Sequence, residues 1–347
     1  MDSFSLLYSL FSLPSRKSFE TLHKKGFLWY TYPQKDLLGR ARRRRSPAGD
    51  GMSEFIPVTC RNIEAMEPYF SACTNRICDN TTGVTFQWRN IFQTHFAIAG
   101  DTLVTRSVYK NVGPCYAVPV GPGDADAGFA AAERDAKARG EELRYACVGA
   151  DQLPLLEARY EGRFFAEEKR DWFDYLYEAE TFRTFSGKKH HSQKNHVNRF
   201  YKDFPEAECR EITEDMFPAC IAFLERIEAE HPEMSEVERN ELKGTMDLIE
   251  LACRLNQRAA CLVTRLGITA LSVGEIKGDT LFAHAEKADV NAAGAYPAMA
   301  QAFVNFMGTG YAYVNREDDA GDEGIRYSKL NYKPIELIPK YLVTVFD

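Results

Sequence analysis

The chain has 347 residues, 45% hydrophobic and 12% aromatic, enough for a buried core and, at roughly 100–200 residues each, about two domains. Its net charge of −7 hides an uneven distribution, since residues 1–51 sum to +6 and the remainder to −13. An acidic body argues against a protein that coats nucleic acid, and no apolar run reaches the roughly 18–20 residues of an integral membrane segment.

Residues 1–51 include the run Arg42–Arg45 and read as a disordered basic extension or a misassigned start, with Met52 opening the globular pattern. The nine cysteines lack C-x-x-C spacing and lie mostly among apolar residues, which points to reduced thiols, no metal site and a cytoplasmic setting. Residues 66–79 predict a helix. Short strand-like runs follow at Thr85–Trp88, His95–Ala99, Leu103–Val108 and Cys115–Val120, with a hairpin signal at Gly100-Asp101. An Ala-rich helix over 127–140 ends at Gly140, followed by a strand at Leu143–Val148, a helix after Asp151 and an aromatic strand at Trp172–Tyr177. The second half predicts a strand at Glu208–Ile212, helices over 213–230 and 235–257, and three antiparallel strands at Ala259–Arg265, Thr269–Lys277 and Thr280–Lys287. A helix at Tyr296–Met307, a strand at Tyr311–Asn315, a helix near 322–331 and a strand pair within Ile335–Val345 complete it. This order is that of an acyltransferase fold of the GNAT type, and the first half is compatible with a degenerate copy.

Residues 187–202 hold Lys188, Lys189, Lys194, Arg199, Lys202 and three histidines without one acidic residue. Such a stripe on an acidic chain calls for an anionic partner or an internal acidic mate. If helical, Lys188, His191, Lys194 or Asn195, and Asn198 share a side and could hold an anion or a tRNA backbone; docking on Glu178 and Glu180 is the plainer alternative. On the strand at 280–287, alternation puts His284 and Glu286 on one face, where Glu286 would orient His284, and sends Lys287 to the other unless a bulge intervenes. Glu317, Asp318 and Asp319 follow a strand end and could bind a substrate ammonium, or Asp318, Asp319 or Asp322 could cap the next helix. Arg326 and Lys329, three apart on that helix, could clamp a phosphate or carboxylate or equally pair with the acidic run before them, and Tyr332 could protonate a leaving group. The stretch Asp289–Pro297 has one glycine, Gly294, and no basic residue, which makes a poor loop for acetyl-CoA.

The segments DYLYEAETFRTFSGKKHHSQKNHVNRF (174–200), HAEKAD (284–289) and NREDDAGDEGIRYSKLNYKP (315–334) resemble, together and in this order, the DUF2156-type family of proteins similar to the C-terminal domain of phosphatidylglycerol lysyltransferase, itself related to Fem-type aminoacyltransferases. The resemblance implies an α/β fold of two tandem GNAT-like domains with mixed central sheets: residues 52–185, a basic linker helix over 186–205, and residues 206–347. It implies transfer of an aminoacyl group from aminoacyl-tRNA to an amine or hydroxyl on a small-molecule or lipid-like acceptor, without a bound cofactor. An acyl-CoA-dependent N-acyltransferase and a non-catalytic module for tRNA or another anionic ligand are the alternatives. The implied catalytic residues are His284, Glu286 and Tyr332. The implied substrate-binding residues are Lys188, Lys189, His191, Lys194, Asn195, Lys287, Asn315, Glu317, Asp318, Arg326 and Lys329.

Overall fold

The computed structural model describes residues 54–252 and 254–346; the basic segment 1–51 and Cys253 lie outside them. Within the described residues the chain traces one series of elements twice. The first pass is β1 (Ile56–Pro57), α1 (Glu67–Ala72), α2 (Thr82–Trp88), β2 (His95–Ala99), β3 (Thr102–Tyr109), β4 (Gly113–Tyr116), α3 (Ala125–Arg139), β5 (Arg144–Gly149), α4 (Leu153–Tyr160), β6 (Phe164–Glu168) and β7 (Asp174–Glu178). Helices α5 (Ala179–Thr184) and α6 (His191–Asp203) then lead into the second pass. It comprises β8 (Glu208–Glu211), α7 (Phe217–Glu230), α8 (Glu236–Leu251), β9 (Arg258–Thr264), β10 (Gly267–Lys277), β11 (Thr280–Ala288), α9 (Ala295–Phe306), β12 (Tyr313–Asn315), α10 (Glu323–Asn331), β13 (Glu336–Ile338) and β14 (Lys340–Val345).

The elements form two seven-stranded mixed sheets, ordered β1-β2-β3-β4-β5-β14-β6 and β8-β9-β10-β11-β12-β7-β13. The orders correspond position by position, and each half lends its last strand to the other: β14 sits between β5 and β6, β7 between β12 and β13. The expected tandem GNAT-like α/β architecture with mixed central sheets is therefore present, and α6 begins within the expected linker. The expected terminal strand pair is corrected. β13 pairs with β7 and β14 with β5 and β6, so the two strands belong to different sheets.

Local chemistry accounts for several boundaries. Asp124 caps α3 by accepting from Asp126 N, and Gly140 ends it at φ +66°, a conformation that favours glycine. Ser235 and Glu238 form a reciprocal capping box on α8. The predicted strand Thr85–Trp88 is instead the end of α2, because the Thr81 hydroxyl accepts from Val84 N and starts a helix through an apolar run too short to show its period. The predicted helix over 66–79 stops at Ala72, and β6 gave no alternating signal in advance. The second sheet is packed on both faces. Leu281 and Val314 meet α9 and α6 through Ala298, Phe303, Val197 and Phe200. Leu271 and Val273 meet α7 and α8 through Phe223, Leu224, Leu248 and Ile249.

The exchanged strands meet at their first residues. Lys340 Nζ lies 2.7 Å from Asp174 Oδ1, and neither side chain has any solvent exposure. Asp174 also accepts from Cys78 N at 2.8 Å and from Asn315 Nδ2 at 2.9 Å. Cys78, Asp174 and Asp318 alone would resemble a metal cluster, but the Lys340 ammonium lies 3.2 Å from Cys78 Sγ as well and supplies the positive charge. Burial pushes the Lys340 pKa down, yet Asp174 and Asp79 outweigh it and hold the amine charged. Removing one partner of a buried pair strands the other charge. We expect Lys340→Met to cost about 3–5 kcal/mol in urea unfolding, and Asp174→Asn with Lys340→Met together to recover part of that loss. A single variant that unfolds at the wild-type midpoint would show that the pair does not hold the exchange.

Candidate functional site

β11 and β12 run parallel and are paired only at Thr280–Tyr313, Leu281–Val314 and Phe282–Asn315. Beyond these pairs the strands part, and β11 continues alone on that side to Ala288. Most of the predicted site residues lie around this divergence.

The register of β11 against β10 sorts them. Ala283 lies opposite Gly274 and Ala285 opposite Val273, so His284 is an extra residue, a β-bulge. A bulge resets the alternation of faces. His284 therefore faces α2, whereas Glu286, opposite Ser272, faces the α9 side with Leu281 and Ala288. This corrects the expected His284–Glu286 pair. His284 Nε2 lies 3.0 Å from Glu275 Oε1 and Nδ1 lies 2.8 Å from Glu317 Oε1, while Glu286 Oε2 accepts from Arg316 Nε at 2.7 Å. The bulge also carries Lys287 onto the His284 side of the sheet, where its amine is 2.7 Å from Glu241 on α8.

The His284 side is closed. The imidazole has no solvent exposure. α2 lies directly over it: Gly83 N donates to Glu275 Oε1 at 2.8 Å, and a Cβ at Gly83 would come within 2.3 Å of the imidazole ring. Burial pulls the His284 pKa down, but the hydrogen bonds and charges of Glu275 and Glu317 outweigh it and raise it to about 9. Glu275 is held below its ordinary value, with His284 and the Gly83 amide overcoming burial; Glu317 is raised because burial prevails over His284. At neutral pH the ring is an imidazolium that donates from both nitrogens. Glu317, at φ +60°, donates its backbone N–H to Asn315 Oδ1, two residues earlier, at 2.6 Å.

The aspartates after β12 are engaged with nearby backbone amides, and only Asp322 caps a helix. Asp318 accepts from Ala320 N, Asp319 from Gly321 N, and Asp322 from Ile325 N at the start of α10. Arg326 is bound to Asp319 and Asp171, and the Lys329 amine donates to the carbonyls of Arg316 and Asp318. Of the two expectations for these cations, a ligand clamp or pairing with the acidic run, the contacts present are internal: Arg326 pairs with Asp319 of that run, and Lys329 is held by backbone carbonyls.

The other side is open. Arg316, tethered to Glu286, lies 4.7 Å from the Tyr332 ring centroid, and that ring stacks on Phe182. Burial raises the Tyr332 pKa, Arg316 opposing. Tyr332 forms part of the wall of a groove of about 610 Å³ running past the start of α9 to α6, with Lys189, Gln193 and His196 on the α6 side and Lys333 beyond Tyr332. Lys188 and Lys189 also border a neighbouring hollow with Glu178 and Glu180. His191, Lys194 and Asn195 are exposed on α6, apart from the His284 cluster. Sequence reasoning missed Glu275, Arg316 and Gln193. Arg316 stood in the NRED motif, whereas no local pattern marks Glu275 or Gln193.

Three comparisons place this geometry. A conserved protein of unknown function from Bacteroides thetaiotaomicron is 29% identical, covers 85% of this chain and 100% of its own, and superposes with a TM-score of 0.78. The C-terminal domain of a putative lysylphosphatidylglycerol synthetase from Agrobacterium fabrum shares the fold at 14% identity and a TM-score of 0.59, over 82% of this chain and 93% of its own. An uncharacterised protein of Mycoplasmoides gallisepticum is 24% identical over 56% of this chain, and the match spans 62% of that protein's length. The family described as phosphatidylglycerol lysyltransferase, C-terminal, matches residues 70–344, and the chain belongs to that family.

Proposed function

We propose that the protein transfers an aminoacyl group from aminoacyl-tRNA to an amine or hydroxyl acceptor. Family membership supports a transferase. The observation that carries the finer reading is the contact of Arg316, held by Glu286, with the ring of Tyr332, which borders the open groove at the start of α9. In this reading the acceptor attacks the ester carbonyl carbon. An amide or new ester forms, and the carbon–oxygen bond to the ribose breaks. Arg316, fixed by Glu286, stabilises the charge that develops on oxygen. Tyr332 delivers a proton to the departing ribose oxygen and recovers one, through solvent, from the attacking group. A phenol held in its neutral form by burial suits that donor role.

His284 has a positioning role here and is not the base. Both its nitrogens already donate to carboxylates, so it has no free lone pair for an acceptor's proton. It pins Glu317, the residue after Arg316, and so helps to set where the guanidinium points.

The test is label transfer from bulk radiolabelled aminoacyl-tRNA to lipid, peptide and small-amine acceptors. Tyr332→Phe keeps the ring that stacks on Phe182 and is expected to lower kcat about 100-fold with the fold intact. No label transfer to any acceptor would overturn the reading, and a phenylalanine variant at the wild-type rate would remove Tyr332 from it. A second expectation concerns stability. The folded His284 pKa of about 9 lies above the ordinary 6.5, so its contribution is fully present below about 6.5 and is lost as pH rises through about 9. The loss across that window is up to about 3 kcal/mol in chemical denaturation, and His284→Gln should abolish this slope. An unchanged slope in the variant would show that His284 is not charged in the fold.

A further inference from the structure

Gln193, on α6, is 8% exposed and lines the groove. Its Nε2 donates to the Asn331 carbonyl at 3.0 Å, which fixes the orientation of the amide. Its Oε1 is buried with no donor among the described residues. A buried acceptor without a donor is costly, and an N–H from a ligand would remove the cost.

Two further features of the same groove narrow the ligand. Tyr296 and Tyr327 line it and are 44% and 71% exposed, two aromatic faces with little packed on them. Lys189 and Lys333 also line it and form no ion pair among the described residues. Outside the groove, both also act on His190, where after burial they help to hold the imidazole below its ordinary pKa. Aromatic faces beside unpaired cations are the chemistry that binds a base and its phosphates. A glutamine amide reads adenine through the exocyclic amine, which donates to Oε1. Here Nε2 is already used, so only the accepting half of that contact is open, and the base must supply the donor.

We infer that the groove between α6 and the start of α9 is a nucleotide subsite, in which Gln193 Oε1 accepts from the 6-amine of an adenine stacked on Tyr296 or Tyr327 while Lys189 and Lys333 meet its phosphates. The inference deepens the donor assignment above and rests on it for the source of the nucleotide, the terminal adenosine of an RNA. The adenosine of coenzyme A offers the same chemistry. A lipid phosphate with a hydroxyl or ammonium in its headgroup would meet the lysines and Gln193 alike, but it offers no ring to stack on Tyr296 or Tyr327.

The test is fluorescence anisotropy with the full chain and a labelled short RNA ending in adenosine, against the same RNA ending in purine riboside, which lacks the 6-amine. The wild type should bind the adenosine end about 10-fold more tightly. Gln193→Leu should erase that difference and leave the purine riboside affinity unchanged. Tyr327→Ala, at an exposed position where folding is not at stake, should weaken both RNAs alike by about 10-fold. Equal binding of the two RNAs by the wild type, or discrimination that survives Gln193→Leu, overturns the subsite. Displacement of the RNA by coenzyme A would keep the adenine subsite and overturn its assignment to an RNA end; no displacement supports that assignment. If aminoacyl transfer fails while discrimination persists, the subsite stands without the donor reading; transfer without discrimination gives the reverse.

Discussion

The buried ion pair between Lys340 and Asp174 joins the two halves at the point where their last strands cross. An ammonium and a carboxylate without solvent are tolerable only with close mutual contact and further hydrogen bonds. Those further contacts organise the neighbourhood. Asp174 takes the Cys78 amide and the Asn315 side chain, and Asn315 also donates to the Arg76 carbonyl at 2.8 Å. The segment before α2 is thereby held against the second sheet, and α2 is brought over His284 with only a glycine's thickness to spare at Gly83. The crossing of the two strands and the closed His284 cluster are thus linked through one set of desolvated charges.

The bulge at His284 then divides the chemistry. Without it, His284 and Glu286 would share a face and Lys287 would lie opposite. With it, Glu286 turns toward α9 and meets Arg316, while Lys287 joins the side of α8. One side of the sheet becomes a sealed array of carboxylates around an imidazolium. The other carries a single cation–carboxylate pair behind Tyr332, next to the groove. Two segments only a few residues apart thus serve both a packed interior and an open site.

The order of elements was legible because most were long enough to show their period, and the amphipathic helices α7 and α9 and the strands β9 to β11 stood near the expected positions. The exchange was not legible, since strands β7 and β14 read as strands whichever sheet receives them. The pairing of His284 was hidden for a sharper reason. A single inserted residue inverts every face downstream, and nothing in the run TLFAHAEKA announces it. Glu275 was hidden because it lies on another strand, nine residues from His284, and is brought beside it only by the hairpin. The residues that follow the strand end were visible as a cluster, but whether an aspartate caps an amide or awaits a ligand depends on backbone turns that sequence does not display. Asp322 caps α10, while Asp318 and Asp319 close turns of the loop before it.

The distribution of paired and unpaired cations says where a ligand's charge belongs. Lys340, Arg316, Arg326 and Lys287 each face a carboxylate of this chain, and Lys329 is spent on two carbonyls. An anion could reach these groups only by displacing a partner already in place, at the cost of a stranded internal charge. Lys188, Lys189, Lys194 and Lys333 have no such partner among the described residues, and the first three stand on or before α6 in a stretch without acidic residues. On a body that is acidic overall, such a patch is held against self-attraction to the rest of the surface by geometry alone, because α6 is anchored through Val197 and Phe200 in the core. The apolar side of α6 fixes the helix, and its polar side is left with positive charge beside the groove that Tyr332 borders. Among the described residues, positive charge without an internal partner thus lies at the start of α6 and after α10, whereas Glu286 stands on β11, Arg316 just after β12 and Tyr332 at the end of α10.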